Sequence, residues 1–230
     1  MPIPETSLLS EEENFEGSRT LADQAATRLR EAILSGRLAP NTSLSLKVLA
    51  ANLGMSPTPI REALTRLAAE GLVQLDKFRG ARIARLALDD LRDTYSLRIV
   101  LETEAMRRAA TNVSEVSLAF LTRILNDYQL AHEQERRDIA QRRHRDFHFG
   151  LYALAGSPWL IRLIEPLWQN SQRYQRIASS LRGSTQNRAQ EHWNMLEAWR
   201  AGNPEAAGQM MARHLQHSVE LVTEFLKEKQ

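Results

Sequence analysis

"MSPTPIREALTRLAAEGLV", residues 55–73, is the stretch whose reading decides the fold. Ser56 suits a helix N-cap, and Pro57 and Pro59 fall in the first turn, where a missing N–H costs little. Gly71 ends that helix. Upstream, Ser45 precedes a short helix, "LKVLAANLG", that stops at Gly54, so three residues separate the two helices. Before the linker "RLAPNTSLS", the segment "TLADQAATRLREAILSG" (20–36) sets Leu21, Ala25, Leu29, Ile33 and Leu34 along one helical face. Downstream, "LVQLDKFRGARIARL" (72–86) alternates apolar and polar residues on both sides of a glycine-containing turn, which predicts a hairpin. Three helices, a tight turn and a hairpin make a winged helix-turn-helix.

Past Leu86 the strand signals stop. Helical periodicity runs through about 89–110, 114–135, 137–155, 158–181, 185–201 and 204–228, broken at "TNVS", near "QERR", at "AGSP", "RGST" and "AGNP". Asn203 and Pro204 form a good N-cap and first-turn pair. Six helices with short connections favour an antiparallel bundle. The expected fold is therefore mainly α: a mobile acidic tail (1–19), a winged helix-turn-helix (20–86) and an all-helical domain (87–230).

Charge separates these parts. Residues 1–19 carry five glutamates and one arginine, whereas residues 20–86 carry ten Lys/Arg against five acids, a net of +5. The net charge of the whole is only +2. A basic segment beside a neutral one suggests that it is the segment that meets a polyanion. The 230 residues, 43% of them hydrophobic, suffice for packed cores, and no apolar run approaches the length of a membrane span. With no cysteine, disulfides, thiol catalysis and thiolate metal sites are excluded, which fits a cytoplasmic protein.

In a helix-turn-helix the second helix enters the major groove and its first residues reach the bases. Ser56, Thr58 and Arg61 occupy that place, and Arg61 suits a bidentate contact with guanine. The helix start can also receive a phosphate through its N–H groups. Lys47 opens the preceding helix, where a phosphate contact fixes register. Arg79 and Gly80 form the wing tip, in reach of a minor groove. The competing reading of these cations is an ordinary solvated surface.

The stretch from Ile33 to Ile83, and "TPIREALTRLAAEGLV" above all, resembles the DNA-binding domain of the GntR family of bacterial transcription regulators. That resemblance assigns operator contacts to Ser56, Thr58 and Arg61, with Lys47 and the Arg79-Gly80 tip in support. It also implies homodimers on paired half-sites. One departure is Pro57, where relatives often carry arginine before the first threonine of the recognition helix.

In the helical half, "RRHRDFHFGL" (142–151) places His144 and His148 four residues apart, on one helical face. The spacing by itself admits a metal site, a proton relay or a polar stripe. "LRIVLETEAMRRAA" (97–110), "HRDFHFGLYALAGSPWL" (144–160) and "EHWNMLEAWRAGNPEAAGQMMARHL" (191–215) resemble the FCD ligand-binding domain found in that family. Many such domains hold a divalent metal with three histidines and a carboxylate. By this likeness the histidines are His148, His192 and His214, and His144 stands at the carboxylate's place. Four imidazoles shift preference from Mg or Mn toward Zn or Ni. Asp146 cannot replace the carboxylate, because two residues from His148 it faces elsewhere. His217 competes weakly as a ligand and His132 is expected to face solvent.

By the same resemblance, Arg98 binds an effector carboxylate; its alternative is an i,i+4 pair with Glu102. The four tryptophans, 159, 168, 193 and 199, are expected in the core. The expected function is a cytoplasmic, homodimeric, DNA-binding regulator, a repressor rather than an activator. A small organic acid, held through a divalent metal, would modulate it. A direct metal sensor is the alternative, and a metal-dependent enzyme joined to a DNA-binding domain a more distant one.

Overall fold

The structure, a computed structural model, describes residues 20–76, 80–181 and 185–228. The chain divides into two compact units that part between Ala87 and Leu88. The acidic segment 1–19, Arg79 and most of the "RGST" break lie outside the described residues.

The first unit runs α1 (Leu21–Leu34), β1 (Ser43–Leu44), α2 (Leu46–Leu53), α3 (Pro57–Ala69), β2 (Val73–Asp76) and β3 (Gly80–Ile83). Thr20 and Asp23 close a reciprocal capping box at the start of α1: the Asp23 N–H donates to the Thr20 hydroxyl at 3.2 Å, and the Thr20 N–H donates to the Asp23 carboxylate at 3.1 Å. The face with Ala25, Leu29 and Ile33 is buried, as its spacing predicts. Leu21 departs from that stripe and is exposed, since it occupies the first helical position beside the cap. Ser45 caps α2, and Gly54 ends it in the left-handed conformation with φ 63°.

Ser56 holds the N-cap position of α3 but makes no side-chain cap bond. With prolines at 57 and 59, the third helical residue has no N–H to give, which leaves only that of Thr58 within a cap's usual reach. The hairpin forms, with Val73 opposite Ile83 and Asp76 opposite Gly80. A third strand, β1, joins it in the order β1-β3-β2 and pairs Leu44 with Ala81. This strand falls in the stretch expected to be linker; two residues are too short to show a period. Leu29, Leu44, Ile60, Leu64, Leu67, Leu72 and Ile83 form the core between helices and sheet. Arg30 ties α1 to α3 through both oxygens of Glu70, at 2.5 and 2.9 Å.

The second unit is a bundle of α4 (Leu88–Ala109), α5 (Glu115–Glu133), α6 (Arg137–Ala153), α7 (Pro158–Leu181), α8 (Thr185–Arg200) and α9 (Pro204–Glu228). Helix α4 packs on α9 and α7, α5 on α6 and α8, and α8 on α9. Local chemistry sets the ends: Ser114 caps α5, and Asn203 accepts the Ala206 N–H at 3.1 Å to start α9. Among the tryptophans, Trp168 and Trp199 are buried as expected, and the Trp199 indole donates to the Ala109 carbonyl at 2.9 Å. Trp159, by contrast, is 68% exposed at the first turn of α7, where the helix has only just begun to pack. No helix among the described residues is long and apolar enough to cross a membrane.

Candidate metal centre

Helix α6 carries two imidazoles inward because His144 and His148 lie one turn apart on the face that also buries Phe147 and Leu151. Helices α8 and α9 supply His192 and His214. One candidate ligand nitrogen from each of the four lies within 4.8 Å of the others. Three of the rings are buried (His148 0%, His192 1% and His214 8% exposed) and His144 is half-buried. Aromatic walls surround them. Tyr128 lies 5.2 Å from His192, and Trp168 lies 5.1 Å from His148 and 5.5 Å from His144, between ring centres. Trp168 is thus both core and lining.

The protonation of His148 suits a cation. Burial, and after it the other three histidines and Arg98, hold His148 well below the usual imidazole range. A neutral ring keeps a lone pair to give. Its Nε2 is buried and makes no hydrogen bond among the described residues, a nitrogen that has left water without compensation there. Two metal–imidazole bonds of about 2.1 Å span at most about 4.2 Å, so a bound ion would draw the widest pair of nitrogens slightly inward. On donor type, number and this orphaned nitrogen, the residues fit a divalent transition metal.

Around the cluster lie polar residues that the sequence does not disclose. Tyr152, buried one turn after His148, brings its hydroxyl to 3.1 Å from His148 Nδ1 and donates to Glu102 on α4. Burial, together with the neighbouring Glu102 charge, holds that phenol protonated well above its usual range. Glu191, on α8, meets His214 Nδ1 and His217 Nδ1, each at 2.9 Å. The i,i+4 spacing of His148 and Tyr152 was a visible signal for the first; nothing local marked the second.

The remaining sequence expectations fall as follows. His217 lies outside the set of four, on the solvent side of Glu191. His132 is half-buried rather than solvent-facing, its ring edge-on to Tyr128 at 4.6 Å. Asp146 pairs with Arg143 at 2.9 Å. Arg98 is 1% exposed and already engaged: Nε meets Glu102 at 2.5 Å, and its guanidinium also donates to Ser171 at 3.0 Å. Burial opposes its charge, yet Glu102 together with Tyr95 and Tyr152 outweighs it and its pKa is raised. In the first unit, Lys47, Ser56, Thr58, Arg61 and Gly80 are all exposed. The Arg61 guanidinium makes no ion pair among the described residues, which leaves it available to a polyanion.

Comparison with known proteins now adds to this geometry. The model of the bacterial regulatory proteins of the gntR family matches residues 21–83, and that of the FCD domain matches residues 93–217. The chain is 30% identical to the transcriptional regulator BphR of Paraburkholderia xenovorans, over 90% of this chain and 87% of that one. It is 26% identical to the transcriptional repressor RspR of Escherichia coli, over 87% and 88% respectively. The solved structure of E. coli McbR/YncC superposes with a TM-score of 0.73 at 26% identity, covering 90% of this chain and 99% of that one.

Proposed function

This chain belongs to the GntR family of bacterial transcription regulators, with the FCD domain as its second half, and on that premise we propose that it is a cytoplasmic, homodimeric repressor whose grip on operator DNA answers to a metal-held organic acid. The family consists of regulators, not enzymes, and the chain is a DNA-binding transcription regulator.

The observation that carries the finer reading is the convergence of His144, His148, His192 and His214 inside a domain of this type. The four histidines could hold a metal ion; Zn or Ni is our choice over Mg or Mn, because four imidazoles are borderline-soft, uncharged donors. Bound there, the metal would offer a positive centre for a carboxylate. Operator contact falls to Lys47, Ser56, Thr58, Arg61 and the wing at Arg79 and Gly80. Arg98 serves as a further anchor for the acid only where that acid displaces Glu102 or Ser171 from its guanidinium. The name of RspR as a repressor supports the direction of regulation. The acid alters DNA affinity to the extent that it prefers the DNA-free state over the DNA-bound one.

A second reading makes the metal itself the signal. Four histidines already complete the usual coordination of zinc, which would leave no position for an acid. Fluorescence anisotropy of promoter DNA decides between them. Zinc alone, organic acids alone and both together are titrated with and without chelator. Release by acid only when metal is present supports the first reading, and release by zinc alone supports the second. An operator affinity indifferent to all of them overturns both.

A further inference from the structure

We infer that Tyr152 and Glu191 are positioning residues that fix His148 and His214 in the tautomer whose Nε2 faces the cluster; the inference rests on the metal reading above and deepens it.

The protons available along Arg98, Glu102, Tyr152 and His148 fix the tautomer. Arg98 forks onto both oxygens of Glu102, at 2.5 and 3.2 Å, in a pair that is buried on both sides. A carboxylate held by guanidinium accepts hydrogen bonds and donates none. The Tyr152 hydroxyl touches that carboxylate, so its single proton goes to Glu102. Only lone pairs then remain on the phenol oxygen for His148 Nδ1, 3.1 Å away. His148 must therefore carry its proton on Nδ1, which leaves Nε2 with a lone pair. That same Nε2 is a buried nitrogen with no hydrogen-bond partner among the described residues. Two separate observations, an outer chain of donors and an inner orphaned acceptor, meet on one ring.

Glu191 does the same for His214. Its carboxylate accepts hydrogen bonds from the Nδ1–H groups of His214 and His217, each at 2.9 Å, so His214 in its neutral form also turns an unprotonated Nε2 away from the carboxylate. Glu191 has a second effect. Four neutral imidazoles bring no charge to a dication, and Glu102 is neutralised by Arg98. Glu191 thus places a negative charge one residue beyond the ligands. Outer partners of this kind commonly change metal affinity by about 10–100-fold.

The test uses the full chain. In metal-free protein labelled with 15N-histidine, long-range nitrogen–proton correlations report the tautomer of each ring, with His148 and His214 assigned by their loss in His148→Gln and His214→Gln. Nδ1–H at both is expected, and Nε2–H at either overturns the role of its partner. Cobalt(II) titration, followed by its visible spectrum, should then show about 10–100-fold weaker binding in Tyr152→Phe and in Glu191→Ala. The thermal midpoint of each metal-free variant serves as the control for folding. Parent-like cobalt affinity in both variants overturns the proposal, and Glu191→Ala, at a partly exposed site, decides its own arm even if Tyr152→Phe fails to fold. A parent protein that takes up no cobalt overturns the metal reading alone, since the tautomers are read without metal.

Discussion

An imidazole must be unprotonated to bind a metal, and burial keeps His148 so. The consequence for pH has a definite sign. The unfolded chain takes a proton on this ring near the ordinary value of 6.5, while the folded chain resists it. Below that pH the unfolded state therefore binds more protons, and stability falls as acid is added, by up to about 1.4 kcal/mol per pH unit for one ring. Thermal midpoints of chelated protein between pH 7.5 and 5.5 should show this fall, and His148→Gln should make it shallower. At the other end of the chain, Arg61 is the residue to test. Arg61→Ala should weaken operator binding by about 1–3 kcal/mol and leave the thermal midpoint unchanged, because its exposed guanidinium holds no partner within the described fold. Unchanged DNA affinity would remove Arg61 from the base contacts. At this scale the sequence was generous with His144 and His148, whose spacing alone puts them on one face. It was silent on Glu191, whose partners lie 23 and 26 residues away.

Elements were legible where their ends are written in local chemistry. Thr20, Ser45, Ser114 and Asn203 all cap the helices they precede, and Gly54 closes α2 as a left-handed residue. What escaped was β1, whose two residues become a strand only because β3 offers them a partner. The wing depends on a similar constraint at Gly80. Its φ of 91° suits glycine, and a Cβ there would stand 3.2 Å from the Leu44 carbonyl oxygen. Gly80→Ala should cost about 1–2 kcal/mol, read in chemical denaturation of the full chain, and speed hydrogen exchange along β1, β2 and β3. A neutral substitution would mean that β1 gives way cheaply. Trp159 teaches the opposite lesson: at the start of α7 it is exposed while Leu160 beside it is buried, so a large aromatic residue does not by itself mark the inward face.

For the whole molecule, the two halves predict different responses to solution conditions. Operator binding should weaken steeply with salt, since the phosphate contacts proposed for Lys47 and its neighbours would release counterions. The slope of log affinity against log salt should shrink by about one in Lys47→Ala. Metal should act instead through the helical domain. Zinc at about a hundred times its Kd adds about 2.7 kcal/mol to the folded state by mass action. The accompanying rise in thermal midpoint should vanish in His192→Ala, while a rise that survives there would place the ion elsewhere.

The sequence by itself determined the order of the helices and the winged helix-turn-helix, because capping, apolar periodicity and motif spacing act over a few residues, and its likeness to the FCD domain pointed to the four histidines. Only the tertiary structure decided that those imidazoles meet, that Tyr152 joins His148 to Glu102 on α4, and that Glu191 stands behind His214. Each of those facts joins separate helices, and packing of the bundle, rather than any local preference, brings them together.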